Sequence, residues 1–141
     1  FEIDTRAPLI VRDPQCAHGQ KSSALVEFVD MFPTLAELCG LDIPEHCEGE
    51  SLVPLLEDPK RTLKDCVFSQ FPRHNGVMGY AMRTDQYRYI EWKNVETGQL
   101  LATELYDHSC DAAENSNIAD SADAKLVEKL SQMLNTNLNY S

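Results

Sequence analysis

The chain has 141 residues, room for one ordinary domain with a hydrophobic core. Its net charge of −11, from 12 Lys and Arg against 23 Asp and Glu, argues against the clustered basic surface that nucleic acids or anionic membranes require. Hydrophobic residues at 43% and charged residues at 25% give a globular balance, and no apolar run approaches the roughly 20 residues of a membrane helix.

The chain opens on Phe1-Glu2-Ile3-Asp4, without Met and without the basic and apolar regions of a signal peptide, so a piece of a longer protein is expected. The continuous apolar run Ala7-Pro8-Leu9-Ile10-Val11 suits a buried strand of a parallel sheet. Gln15 to Lys21 is polar and reads as a loop. A helix is expected from Asp30, with Asp30 as N-cap, Pro33 in the first turn and Gly40 just past the end. Met31, Phe32, Leu35, Leu38 and Cys39 form its apolar face. Ser51 caps a short helical turn through Leu52 and Leu55-Leu56, which Asp58-Pro59 stops.

Composition changes near residue 60. Cys66 to Phe71 is a strand candidate, and Gly79 to Arg83 and Tyr87 to Trp92 form a hairpin across Thr84-Asp85-Gln86. In the second of these strands Tyr87, Tyr89 and Glu91 face one way and Arg88, Ile90 and Trp92 the other. Thr97-Gly98 marks a turn before a strand from Leu100 to Tyr106. From Ala122 to Leu138, Leu126, Val127, Leu130, Met133, Leu134 and Leu138 recur at helical spacing, which predicts an amphipathic helix over one face of the sheet. The organisation is therefore residues 1–60, a strand and helices that want a larger sheet, and residues 61–141, a sheet-plus-helix unit.

The five cysteines, Cys16, Cys39, Cys47, Cys66 and Cys110, are odd in number and contain no C-x-x-C pair, so a zinc or thioredoxin-like site is not expected. One disulfide is allowed without a named pair, and Cys39 reads as a small core residue. The one glycosylation triplet is Asn139-Tyr140-Ser141.

Four stretches resemble the sulfatases, in the order that family uses them. Phe1 to Val11 resembles the core strand that follows the family's active-site lysine. Val29-Asp30-Met31-Phe32-Pro33-Thr34-Leu35 through Gly40-Leu41 resembles the helix "V-D-x-x-P-T-L-x-x-L-x-G-L". Glu104-Leu105-Tyr106-Asp107, with Asp111 and Glu114-Asn115 beyond it, resembles "E-L-Y-D…D-P-x-E-x-x-N", with Ala112 where the family has Pro. Ser69-Gln70-Phe71-Pro72-Arg73 and Met78-Gly79-Tyr80 through Tyr89 are similar to iduronate-2-sulfatases and their bacterial relatives.

The resemblance implies an α/β fold: the C-terminal piece of an alkaline-phosphatase-like sulfatase core (strand plus helices), then a small antiparallel sheet packed on a C-terminal helix. It implies sulfate ester hydrolysis, of a sulfated sugar or glycosaminoglycan, by a longer protein using formylglycine and calcium. Neither group has its residues here. Cys16 is followed by Ala-His-Gly and Cys66 by Val-Phe-Ser, so no C-x-P-x-R exists, and the family's metal-binding Asp and His/Asn and its Lys precede this point. No residue present is assigned to catalysis or metal binding. The implied partners are the missing N-terminal part of the same protein and a sulfated carbohydrate. The chain alone is expected to be inactive. Members of the family are exported, periplasmic or lysosomal.

Gln70, Arg73 and His74 are the candidate substrate contacts, in a polar loop read as running from Gln70 to His74. Arg suits a carboxylate or sulfate through its fork, and His can donate to a hydroxyl or sulfate. The competing reading is an ordinary exposed loop. His18 and His46 read as solvated, and His108 as a structural hydrogen-bonder. Asp111, Glu114, Asp120 and Asp123 lack EF-hand spacing and read as a solvated acidic loop before the last helix. Tyr80, Tyr87, Tyr89 and Trp92 read as strand residues under a helix, with a sugar platform as the alternative. Arg6 is expected to find an internal ion pair or carbonyl in the longer enzyme. Two other functions stand beside the sulfatase: a free-standing binding module, and a phosphoester or phosphonate hydrolase of the same superfamily.

Overall fold

The computed structural model describes residues 1–16 and 18–138, so the triplet at 139–141 lies outside the described residues. Two units are distinguished, one made of Pro8–Val67 and one of Phe1–Ala7 with Phe68–Ser141. The composition change near residue 60 thus falls a few residues before the division, and the first residues sit with the later unit.

In the Pro8–Val67 unit the helical signals are confirmed and the buried face is not the expected one. A short helix α1 (Glu2–Thr5) precedes this unit, so Phe1 to Thr5 coils where a strand was expected. The Pro8–Val11 run pairs into no sheet, and Ile10 is 90% exposed. A parallel strand needs neighbours on its edges, and the described residues supply none.

A 3₁₀ turn (Phe28–Asp30) leads into α2 (Met31–Leu38). Gly40, at φ +67°, ends α2 with Gly40 N–H donating to Glu37 and Leu41 N–H to Ala36, the paired bonds of a Schellman stop. Asp30 is fully buried, yet its carboxylate does not cap α2. It accepts from the backbone N–H of Glu27 (2.8 Å) and Glu50 (2.9 Å) and from Lys64 Nζ (2.7 Å). Thr34 Oγ1 donates to the Asp30 carbonyl and accepts from Leu52 N–H, tying α2 to the start of α3 (Val53–Glu57). Gly49 passes so close that an added Cβ would stand 2.1 Å from the Val29 carbonyl oxygen.

The buried side of α2 is therefore Pro33, Thr34 and Ala36, while Phe32 and Leu35 are each 58% exposed. The face expected to be core points outward. The buried polar network around Asp30 claims the opposite side, because an unsatisfied buried carboxylate is far costlier than an exposed Phe or Leu. Cys39, read as core, is exposed at the helix end.

The second unit is a four-stranded meander, β1 (Cys66–Arg73), β2 (Val77–Thr84), β3 (Tyr87–Asn94) and β4 (Leu100–Asp107), in that order across the sheet. Helix α4 (Ala124–Leu138) crosses β2 and β3, with Asp123 accepting from Lys125 N–H at its start. Central strand β3 is buried on both faces. Tyr89 and Glu91 lie on the α4 side with Met82, Leu105, Leu130 and Leu134 around them. Tyr89 donates to Glu91, which also accepts from Ser131 (2.6 Å) and pairs with Lys93 (2.7 Å). Burial pushes the Tyr89 phenol up to about 12. Arg88, Ile90 and Trp92 lie on the other side, as the alternation predicts.

Candidate functional site

The segment Gln70–His74 is not a loop. Gln70, Phe71, Pro72 and Arg73 belong to edge strand β1, and His74 opens the turn to β2. Pro72 is tolerated because an edge strand has N–H positions with no ladder partner. The turn is set by Asn75 (φ +61°) and Gly76 (φ +69°), successive left-handed residues that match strand twist in a tight hairpin. Asn-Gly between two strands is the strongest short hairpin signal a sequence carries, and Asn75-Gly76 is one.

The structure brings Arg73 against two rings; Gln70, three residues back on β1 and so on the opposite face, and His74 in the turn are exposed. The Arg73 guanidinium carbon lies 5.2 Å from the Phe71 ring centre and 5.0 Å from that of Trp92. Both distances are within cation–π range. Among the described residues no carboxylate pairs with Arg73. Trp92 reaches across from β3 because Gly79, its register partner on β2, leaves the space open. A Cβ on Gly79 would meet the Trp92 ring at 2.5 Å. Trp92 Nε1–H donates to Glu104 Oε1 (2.7 Å) and Tyr106 O–H to Glu104 Oε2 (2.7 Å), so the ring is fixed from behind. Burial, with Glu104 alongside, raises the Tyr106 phenol far above its ordinary range. Trp92 is thus half-buried rather than core, and its ring lies against the Arg73 guanidinium.

A second cluster lies on the same face of the sheet. Arg88, 2% exposed, donates from Nε to Glu114 and from Nη2 to Glu2 (2.8 Å) and Thr5 Oγ1 (2.9 Å). Glu114 Oε2 accepts from Glu2 N–H (2.7 Å), and His108 Nε2 lies 2.7 Å from Glu114 Oε1. Glu114 is no part of a solvated acidic loop. Its side chain is wholly buried and its backbone holds φ +58°. Burial pushes its carboxyl up, but hydrogen bonds from Arg88, the Glu2 backbone and His108 outweigh that and hold it below the ordinary range. His108 takes the structural role expected of it.

Glu2, His108 and Glu114 are the one His/Cys/Asp/Glu group among the described residues close enough to hold a metal. They do not fit calcium: the Arg88 guanidinium already takes both carboxylates, and a cation there would have to displace it. Nor are the Cys16 and Cys66 thiols prepared as nucleophiles. The Cys16 thiol is held up by its hydrogen bond to Asp13, and burial raises Cys66, so both stay protonated. All five cysteines are free. Arg6, His18 and His46 are exposed. Sequence reasoning missed Asn117, which accepts from Leu105 N–H (2.9 Å), donates to the Thr103 carbonyl and so closes the edge of β4.

The α/β chain, with its four-stranded antiparallel sheet and C-terminal helix, has sulfatases among its structural neighbours. The chain belongs to the family described as N-sulphoglucosamine sulphohydrolase, C-terminal, whose model matches residues 1–139. It is 32% identical over 148 residues to arylsulfatase K of Gallus gallus, covering 99% of this chain and 27% of that protein. It is also 32% identical to the N-acetylglucosamine-6-O-sulfatase of Bacteroides thetaiotaomicron, covering 95% of this chain and 25% of that one. A solved structure described as bound to its substrate D-glucosamine-2-N,6-O-disulfate superposes with a TM-score of 0.66 at 26% identity, over 77% of this chain and 23% of its own. A phosphonate monoester hydrolase from Silicibacter pomeroyi shares the fold at a TM-score of 0.74 and 23% identity, over 92% of this chain and 28% of its own. The chain spans about a quarter of the length of the relatives it matches. These relatives support sulfatase membership without singling out iduronate-2-sulfatase.

Proposed function

We propose that this chain is the C-terminal part of a longer sulfatase, and that it offers Arg73, with Gln70 and His74, to the anionic groups of a sulfated saccharide. The observation that carries the reading is Arg73 itself. It is a guanidinium with no carboxylate partner among the described residues, held on an exposed edge by two aromatic rings, in a chain of net charge −11. A planar guanidinium so placed can take two oxygens of a sulfate or carboxylate at once. Binding made away from the reacting bond positions a substrate and shows in KM when ground state and transition state share it.

The chemistry falls to sequence outside this chain. A formylglycine would supply the nucleophile and a calcium ion the charge stabilisation, and neither has residues here to hold it. The chain alone is accordingly inactive, and the outward side of α2, with Phe32 and Leu35, supplies packing against the rest of the protein. The named relatives favour a glucosamine sulfate as substrate. The Ser69–Arg73 and Met78–Tyr89 stretches favour an iduronate 2-sulfate unit, and we hold this as the second reading. Export, to the periplasm or a lysosome, is in keeping with the sulfated saccharide.

The test is turnover by the full-length protein on D-glucosamine-2-N,6-O-disulfate and on an iduronate 2-sulfate disaccharide. Arg73→Ala should raise KM about tenfold, roughly 1.4 kcal/mol, with kcat little changed. Sulfate release from neither sugar would sink the reading. Release only from the second would favour the iduronate branch.

A further inference from the structure

The clamp on Arg73 has a design that reaches beyond the contact residue. Three features spread over three strands serve one guanidinium: the open space at Gly79, the Trp92 ring laid across it, and Glu104 holding the indole N–H. A guanidinium that stacks is desolvated on its faces and keeps its in-plane N–H groups free for oxygen. Phe71, 59% exposed, stacks on it from the same strand. An arginine on an edge strand otherwise loses rotamer freedom on binding an anion, and a stacked one has already lost much of it.

We infer that Trp92 is a positioning residue, which holds Arg73 in place as a preorganised receptor for the sulfate group of a sulfated saccharide. Gly79 and Glu104 act only through Trp92. The inference rests on the reading of Arg73 as a substrate contact. It predicts that affinity for the anion depends on an aromatic ring that never touches the ligand.

The experiment titrates the full-length protein, prepared with its nucleophile unconverted so that the sugar is not consumed, with D-glucosamine-2-N,6-O-disulfate and, as control, with unsulfated glucosamine, following the Arg73 side-chain Nε–H resonance by NMR. In the free protein that resonance should stand upfield of an ordinary arginine's, shifted by the rings, and it should move with the sulfated sugar alone. Trp92→Phe, which keeps a ring but loses the bond to Glu104, should weaken binding about threefold, and Trp92→Leu about tenfold. In an Arg73→Ala background neither change should weaken binding further, a coupling that a general loss of stability cannot imitate. Unchanged affinity in both Trp92 variants, or losses that persist without Arg73, would overturn the inference. If Trp92→Leu does not fold, Trp92→Phe with and without Arg73 decides alone. Absent turnover in the full-length protein with this binding intact sinks the sulfatase reading only. Turnover with both Trp92 variants inert on affinity sinks this inference only.

Discussion

Arg88 and Glu114 show how one residue's environment overrides its type. Glu114 stands among Asp111, Asp120 and Asp123 in sequence, yet it is the buried one, because the chain turns left-handed at φ +58° and points its carboxylate at Arg88. Breaking a buried pair by removing one partner leaves an uncompensated charge, which costs about 3 kcal/mol or more. Arg88→Met should therefore lower the urea midpoint by a corresponding amount, whereas exposed Arg12→Met should shift it by no more than about 0.5 kcal/mol. The pH dependence follows from the direction of the shift. Glu114 sits below its ordinary value when folded, so it contributes stability above about pH 4.3 that is lost as pH falls through the lowered value. Urea melts from pH 6 down to pH 3 should show this loss, and Glu114→Gln should flatten the slope while starting from a less stable protein.

At the scale of elements, the meander depends on small residues placed where large ones must cross. Gly79 has no positive φ to demand glycine; its role is space for Trp92. Gly79→Ala forces the ring to move, and overpacking of this kind costs about 1–3 kcal/mol. Because Trp92 is the one tryptophan, its fluorescence reports the change directly, and a spectrum and melting temperature equal to wild type would refute the account. Under the other face, Leu134 is fully buried between α4 and the sheet. Leu134→Ala should cost about 2–5 kcal/mol, as truncation of a packed core leucine does, measured by chemical denaturation.

At the scale of the whole molecule, the described residues leave an apolar surface around α2 uncovered. Phe28, Met31, Phe32 and Leu35 are exposed together around α2, in a unit whose buried side is built on Asp30, Thr34 and Lys64. The chain should self-associate at high concentration despite its net charge, and Phe32→Glu with Leu35→Glu should abolish this in sedimentation velocity at little cost to the melt. In the full-length protein the same pair of changes should destabilise instead, since there the side chains are proposed to be covered. A double variant equally harmless in both settings would show that nothing packs on α2.

Much of this protein could be read from its sequence, and the reason is local. Alternation placed β2, β3 and β4 and the two faces of β3, helical spacing placed α4, and Gly40 stopped α2 as its backbone freedom demands. The motif order pointed to the sulfatase family without any contact being known. What only the tertiary structure decided were matters of which partner wins. The apolar side of α2 faces outward because Asp30 draws the other side inward, Pro8–Val11 forms no strand because no neighbour pairs with it, and Arg73 meets Trp92 across an intervening strand. Periodicity states which residues share a face; it does not state what lies opposite, and burial, ion pairing and stacking are set by what lies opposite.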